Sequence, residues 1–563
     1  MFEALPPEMD ELPESADAEV CEAITGWARI EAAACARKHA AMAELFTRRT
    51  GCDTAEDRNI WWVDPDAAVG AEIGAAQNIS SGLALFQTHR AVALRDRLPR
   101  VAALFADGQI TELLVRTLVS RTNLITDPDV MAKVDTELAA QARRFGPQSA
   151  KKTEAAIDAV VEMHDAGAVR RVRTAMRRRD VVTSTDGEEP GMASVWARLY
   201  AGDANGLAHR LDEMARAVCD DDPRTLSERR ADALGALGAG ATILACACGN
   251  TDCPATSDTP TPTRNTIVYV ITDESEGGGE AGTDDDDATD TDAGAGEAGD
   301  ADEVREAGGA TYAECRPPHG ETPDPGTPPD DTATAAGTAQ PAPAADADPA
   351  PEPAPAQKSQ CRRPMAFVLG AGILPTALLA ETTGTARRRT VRHPGDAAPE
   401  PRYTPSRALA DYIRCRDLTC RFPGCDKPAD RADIDHTIPY PAGPTHASNL
   451  KCLCRFHHLL KTFWCGPSGW TDVQYPDGTI VWTAPTGHTY TTRPGSALIF
   501  PTLCRPTGNL PSPPPGTLPD NIFRGVKMPT RRRTRAQNRA ERIAAERKLN
   551  DDHVAERNKP PPF

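Results

Sequence analysis

The chain has 563 residues, 40% of them hydrophobic but only 5% aromatic, with 50 Pro and 42 Gly, a composition that allows two or three cored domains while leaving a substantial part outside any compact fold. A formal charge of −18 argues at first against a polyanionic partner, because phosphates attract Lys and Arg, but residues 274–357 alone hold 22 acidic and 2 basic side chains and the remainder sums to about +2. The acidic start MFEALPPEMDELPESADAEV lacks an apolar signal region and no apolar run approaches the roughly 20 residues of a membrane span, so a cytoplasmic protein, nucleoid-associated when bound to DNA, with reduced or metal-bound rather than disulfide-paired cysteines is expected.

In chain order, residues 1–15 are expected to be disordered and 16–273 to form a mainly helical domain. Val20, Ile24 and Trp27 fall at i, i+4, i+7, and Leu83, Phe86, Ala93 and Leu94 make a second stripe that Arg90 interrupts, faces that should pack into a bundle. Pro99 opens a further segment with Val101, Leu104 and Phe105, and Leu113, Leu114 and Leu118 continue after the Gly108 break. Asp180 to Tyr200 reads as a β-hairpin around DGEEPG. Just before it, Arg170 to Arg179 is strongly basic, either a solvated helix face or a second nucleic-acid contact. Cys246-x-Cys248-x4-Cys253 offers three metal ligands without an assignable fourth. Residues 274–357 are Asp, Glu, Ala, Gly, Thr and Pro with almost no large apolar groups; they cannot repay the entropy of ordering and are expected to be a disordered linker. Thr266 to Ile271 before it reads as a strand, and Met365 to Leu379, in a return segment 358–400, as a strand followed by a Pro-initiated helix. The two flanks can belong to one fold that the linker interrupts.

Chemistry concentrates in 415–462, CRDLTCRFPGCDKPADRADIDHTIPYPAGPTHASNLKCLCRFHHLLKT, inside a segment 401–505. Cys420-x4-Cys425 and Cys454-x2-His457 have the spacing of two zinc knuckles serving one tetrahedral structural site. Cys452 is the rival ligand, but Cys452-x2-Arg455 closes no knuckle. Asp435, His436, Asn449 and His458 remain once that site is filled, and they are what a phosphodiester-hydrolysing nuclease needs. Residues 401–470 hold 10 Lys or Arg against 6 Asp or Glu, and Arg414, Arg416, Arg421, Lys451, Arg455 and Lys461 are candidates to meet a phosphate backbone. Val473 to Trp482 reads as a hairpin on a PDG turn. The tail 506–563 has 10 basic and 2 acidic residues within 524–548, on a helical pattern that suits a nonspecific DNA-binding arm or a solvated, partly disordered tail.

At these residues the chain resembles an HNH endonuclease of the ββα-metal type, with His436, Asn449 and His458 separated by thirteen and nine residues. RDLTCRFPGC, DIDHTIPYPAGPTHASNL and LCRFHHLLKT further resemble actinobacterial HNH proteins whose N-terminal region is a helical domain of unknown function 222, a similarity that covers most of the chain outside the linker. Many of those relatives have a Cys near position 432, where this chain has Ala432; that Cys is not among the four expected zinc ligands. The resemblance implies a mainly α N-terminal domain and a small α+β ββα-metal unit stabilised by structural Zn²⁺. It further implies His436 as general base, Asn449 buttressing the loop that orients it, and Asp435 with His458 holding one catalytic divalent ion. Oxygen and imidazole ligation suits Mg²⁺, Mn²⁺ or Zn²⁺, and the expected partner is double-stranded DNA. A noncatalytic zinc-stabilised DNA-binding or mobile-element-associated module is the alternative reading, and a helical region that binds protein partners is a third.

Overall fold

A computed structural model describes residues 12–51, 56–145, 148–170, 180–184, 192–250, 252–253, 270–272, 366–369, 372–374, 390–466, 469–510 and 527–559. Residues 1–15 lie largely outside this set, as do 171–179 of the basic stretch, the whole expected linker 274–357 and the helix expected from Pro375. The described residues belong to one compact unit drawn from 1–274 and 365–563.

Seven helices open the described chain: α1 (Asp17–Gly51), α2 (Pro65–Gln77), α3 (Ser81–Arg97), α4 (Pro99–Ala106), α5 (Glu112–Arg121), α6 (Pro128–Phe145) and α7 (Ala150–His164). Their starts are written locally. Asp64 accepts from the Ala67 N–H before Pro65, and Ser80 and Thr111 cap α3 and α5 in the same way, each satisfying a backbone donor that the first helical turn leaves unpaired. Leu94, Leu98, Val101, Phe105, Leu118, Val134, Leu138 and Ile157 form the main core. Gly108 turns the chain between α4 and α5 at φ +69°, where a Cβ would sit 2.3 Å from the Arg29 carbonyl oxygen.

Two expected core stripes are corrected. Ile24 and Trp27 on α1, and Leu83 and Phe86 on α3, are exposed, as is Leu113. Their helices bury Ala23, Ala32, Ala33 and Ala43, and Ala84, Thr88 and Ala91, instead, while Ala93 and Leu94 of the second stripe are buried as expected. Close approach is the reason: a Cβ on Gly70 of α2 would stand 2.9 Å from the Leu85 Cβ of α3, so small residues mark the contact face and bulky ones point away. Arg90, which interrupted the stripe, is buried and paired with Glu112 at 2.6 Å.

Strands β1 (Asp180–Ser184) and β2 (Ser194–Arg198) pair antiparallel as a hairpin, followed by α8 (Ala201–Arg216) and α9 (Leu226–Gly238). β3 (Val270–Thr272) pairs antiparallel with β4 (Ala366–Val368), which pairs with β5 (Gly372–Leu374). Segments from either side of the acidic stretch thus meet in one sheet.

After the helix Arg407–Asp417, β6 (Asp433–His436) pairs antiparallel with β7 (Leu450–Leu453), setting Asp435 opposite Lys451 and His436 opposite Leu450. The helix Arg455–Phe463 follows with Cys454 as its N-cap. β8 (Thr471–Gln474), β9 (Ile480–Thr483) and β10 (Thr489–Thr492) then form a three-stranded meander in that order, the first two joined across the expected PDG turn. The parts expected as separate domains share a core. Val63, Ala67 and Ala71 from the helical region pack with Phe422, Leu460, Trp464, Trp470 and Trp482, and Trp464 donates its indole N–H to the Val63 carbonyl at 2.9 Å.

The basic tail is not a free arm where it is described. Its helix, Arg535–Arg557, opens on a Thr534–Gln537 capping box and lies on the helical region. Arg531 and Arg535 both meet Asp64, Arg547 pairs with Asp165 at 2.7 Å, and Asn550 donates to the Gly167 and Val169 carbonyls at 2.9 and 2.8 Å. Arg531, Arg533, Arg535 and Arg547 of the basic tail are thus partners of this protein's own carboxylates.

Candidate functional site

Cys420, Cys425, Cys454 and His457 come together with their ligand atoms all within 4.8 Å. Zn–S bonds of about 2.3 Å and Zn–N bonds of about 2.0–2.1 Å around a tetrahedron give S···S edges of about 3.8 Å and S···N edges of about 3.6 Å. The observed Cys425 Sγ to Cys454 Sγ distance is 4.0 Å, and His457 Nδ1 lies 3.5 Å from Cys420 Sγ and 3.3 Å from Cys454 Sγ. These residues fit a closed structural zinc site. Cys452 points elsewhere, into the core with Tyr412, Ile413 and Leu450. His457 is buried under the Phe422 ring at 4.0 Å, and its Nε2 meets Ser81 Oγ of α3 at 3.0 Å. That contact fixes Nδ1 as the ligand nitrogen, and its partner comes from the helical region.

The remaining polar set lies on β6, β7 and the loop between them. His436 ends β6, buried, with Tyr403 stacked on its ring at 5.3 Å. Its Nε2 is 2.9 Å from Thr445 Oγ1, whose own hydroxyl donates to the Arg402 carbonyl at 2.5 Å. With the Thr445 proton committed, His436 Nε2 must be the N–H donor, which leaves the lone pair on Nδ1. Burial, reinforced by Lys451 and Lys461, pulls the imidazole down to about 4, so it is neutral at neutral pH. Asn449 clamps the loop: its amide donates to the Ile438 and Pro444 carbonyls at 2.9 Å each and its oxygen accepts from the Ile438 N–H at 2.8 Å.

Asp435 presents two different oxygens. Oδ2 is taken by Lys451 Nζ at 2.9 Å and Lys461 Nζ at 2.6 Å, while Oδ1 faces His458 Nε2 at 3.6 Å. Burial alone would raise this carboxyl, but the two ammonium groups outweigh it and hold the group well below the carboxylate range. The gap between Oδ1 and Nε2 suits an oxygen and a nitrogen sharing one divalent ion at about 2.0–2.2 Å from each. His458 Nδ1 is 2.8 Å from Asp433 Oδ2. Asp433 is thus the orienting carboxylate that the sequence reading missed, and the signal was there: in a strand, residues two apart share a face, so Asp433 and Asp435 both look toward the helix carrying His458.

Three of the six basic residues expected at a phosphate-facing surface are interior, which corrects that expectation. Arg416 donates to Asp417 and to the Ala447 and Leu450 carbonyls at 2.8–2.9 Å; Arg421 donates to Asp417, Gly478 and Thr492. Lys451 is fully buried between Asp435 and Asp472. Composition counts charge without regard to burial, and the guanidinium fork here ties carbonyl ends of β7 to the meander. Lys461 is mostly buried on Asp435 and also donates to the His436 carbonyl at 2.7 Å. Arg455 is exposed, touching Asp433 at 3.2 Å.

A second cysteine group lies on the other side of the chain's long acidic stretch. Cys246, Cys248 and Cys253 gather with Cys219, their sulfurs all within 4.8 Å. Cys219, the fourth member, sits 27 residues upstream of Cys246, outside any knuckle spacing, and so was not identifiable from the sequence. No described helix is long and apolar enough to cross a membrane.

Against known proteins, a family profile described as "Domain of unknown function (DUF222)" matches residues 27–307. The chain is 46% identical to the Mycobacterium tuberculosis protein titled "Uncharacterized protein Rv2100", over 100% of this chain and 93% of that protein. It is 43% identical to "Uncharacterized protein Rv3776" of the same organism, over 100% of this chain and 95% of that protein. No solved structure matches the chain.

Proposed function

We propose, for a chain that belongs to the DUF222 family by its similarity to these mycobacterial proteins, that the C-terminal ββα unit is a metal-dependent HNH endonuclease acting on double-stranded DNA. The observation that carries this reading is the pairing of a buried, neutral His436 whose Nδ1 is the free lone pair with Asp435 Oδ1 and His458 Nε2 facing each other at 3.6 Å. In this reading His436 Nδ1 takes the proton of the attacking water, Thr445 holds the ring by its other nitrogen, and Asn449 fixes the loop between them. Asp433 orients His458. Lys451 and Lys461 occupy Asp435 Oδ2, so that Oδ1 alone is left to face His458 Nε2. Asp435 and His458 would hold Mg²⁺ or another divalent ion, and when bound it would supply Lewis-acid chemistry at the scissile phosphate. The Cys420, Cys425, Cys454 and His457 site, with all four positions filled by protein, is structural zinc.

The two ammonium groups on Asp435 favour a second reading, in which they replace the ion and the unit is a noncatalytic zinc-stabilised DNA-binding or mobile-element-associated module. Incubating the full chain with supercoiled plasmid and Mg²⁺ or Mn²⁺ separates the two. Metal-dependent cleavage, lowered by about 10²- to 10⁴-fold in His436→Ala with folding and DNA binding retained, is expected for a positioned base. DNA binding without cleavage by the wild type across linear, supercoiled and branched DNA would select the second reading.

A further inference from the structure

Outside the candidate nuclease unit, the described residues hold a four-thiol constellation that no step above uses, Cys219, Cys246, Cys248 and Cys253. They stand just beyond the ends of α8 and α9, on a part of the helical region with little core of its own. Met214, Val218, Ala233 and Leu244 are the other buried members of the cluster that holds Cys246 and Cys253. Cys219 Sγ is 3.4 Å from Cys246 Sγ, near the S···S edge of about 3.8 Å of a tetrahedral zinc thiolate and far from a disulfide bond of about 2.05 Å.

Gly249, at φ +73°, reverses the chain between Cys248 and Cys253, a conformation that a side chain would strain.

Hydrogen bonds around the thiols tie the two ligand loops together. Asp222, three residues past Cys219, accepts from the Ala247 N–H at 2.9 Å, between Cys246 and Cys248. Arg224 donates to Asp222 at 2.7 Å and to the Ala245 carbonyl at 2.8 Å. These bonds hold Cys219 against the 246–248 turn independently of any metal, the outer-shell support that metal sites use to orient their ligands.

We propose that Cys219, Cys246, Cys248 and Cys253 form a second, closed Zn²⁺ site that staples the end of the DUF222 region, separate from the nuclease unit and independent of whether that unit cuts. Four thiolates fill a tetrahedral ion, so the site is structural and leaves no position for water or substrate. A soft all-sulfur set selects zinc over the hard divalent ion expected at Asp435 and His458.

The test is metal content of the full chain, purified under reducing conditions with zinc supplied. The wild type is expected to carry two zinc ions per chain, Cys246→Ser one, and His457→Ala one. Cobalt substituted into His457→Ala should give the charge-transfer and d–d bands of an all-thiolate tetrahedral site. Should Cys246→Ser fail to fold, alkylation of the wild type answers the same question. The exposed Cys21 and Cys465 label at once, while Cys219, Cys246, Cys248 and Cys253 are expected to stay protected until a chelator is added. One zinc per chain in the wild type, iron in place of zinc, a Cys219–Cys246 disulfide in the native protein, or immediate labelling of those four thiols would each overturn the assignment.

Discussion

Asp435 illustrates how much a single carboxylate's surroundings decide. The sequence offered it as a metal ligand next to His436, but it does not reveal that one oxygen is spent on Lys451 and Lys461 while the other looks at His458. Likewise the imidazole of His436 was a candidate base from its place in the motif, whereas the identity of its free nitrogen depends on Thr445 and on the Arg402 carbonyl beyond it. A histidine far from the candidate site gives a clean pH test. His39 of α1 is buried beside Phe105, its Nδ1 has no hydrogen-bond partner, and burial, then Arg90, lowers it to about 4. Folded, it stays neutral down to that pH, while the unfolded chain takes up a proton below about 6.5. Its contribution is therefore complete above pH 6.5 and is lost as pH falls from 6.5 toward 4, on the order of 3 kcal/mol at most. Urea denaturation of wild type and His39→Gln across that window is expected to show a flatter pH dependence in the variant; parallel curves would contradict it.

At the scale of elements, the unit of β6, β7 and the helix Arg455–Phe463 is small and is held from three directions: the four-ligand cluster, the buried Arg416–Asp417–Arg421 group and the meander. Structural zinc supplies roughly 10–16 kcal/mol of apparent binding energy in small peptides, more than such a unit gains from its own core. Cys420→Ser is accordingly expected to lose one zinc and the amide protection of residues 418–464, and to lower the protection of α2 and α3, which share its core and its Ser81–His457 contact. Hydrogen exchange read by mass spectrometry checks this, and native protection of 418–464 in that variant would show that the cluster does not carry the unit. The hairpins, the ββα order and the helix start at Pro99 were legible because turns, strand period and the fixed φ of proline are local. The faces of α1 and α3 were not. A stripe of large apolar residues is the usual mark of a buried face, but here close helix packing selects alanine and glycine and leaves Ile24, Trp27, Leu83 and Phe86 outside.

Across the whole molecule, the helical region and the zinc unit cannot be assigned separate stabilities. Trp464 sits in their shared core, donates to Val63, and packs edge-on against Trp61 at 6.0 Å. Trp464→Ala is expected to destabilise the chain by about 3–5 kcal/mol, the usual cost of truncating a buried aromatic, and to lower the melting of both regions together. Separate transitions, with the helical region unchanged, would mean that the shared core is not cooperative. Ser81 on His457 and the tail helix on Asp165, Gly167 and Val169 extend the same coupling, so a change in the helical region reaches the zinc ligands through packed side chains.

The sequence by itself determined the candidate chemistry, because metal ligation and proton transfer need particular residue types at short spacings: Cys420, Cys425, Cys454 and His457 in one window, with Asp435, His436, Asn449 and His458 between and beside them. Tertiary structure alone decided which charges face water. Arg416, Arg421 and Lys451 counted as basic surface when only composition was available, and they are interior because buried carboxylates and carbonyl oxygens elsewhere in the chain needed donors. It also supplied Cys219 to the second thiol group and Ser81 to His457, partners brought from 27 and 376 residues away. Local pattern carries no record of such pairs, since their distance in space is set by the packing of whole helices and not by the spacing along the chain.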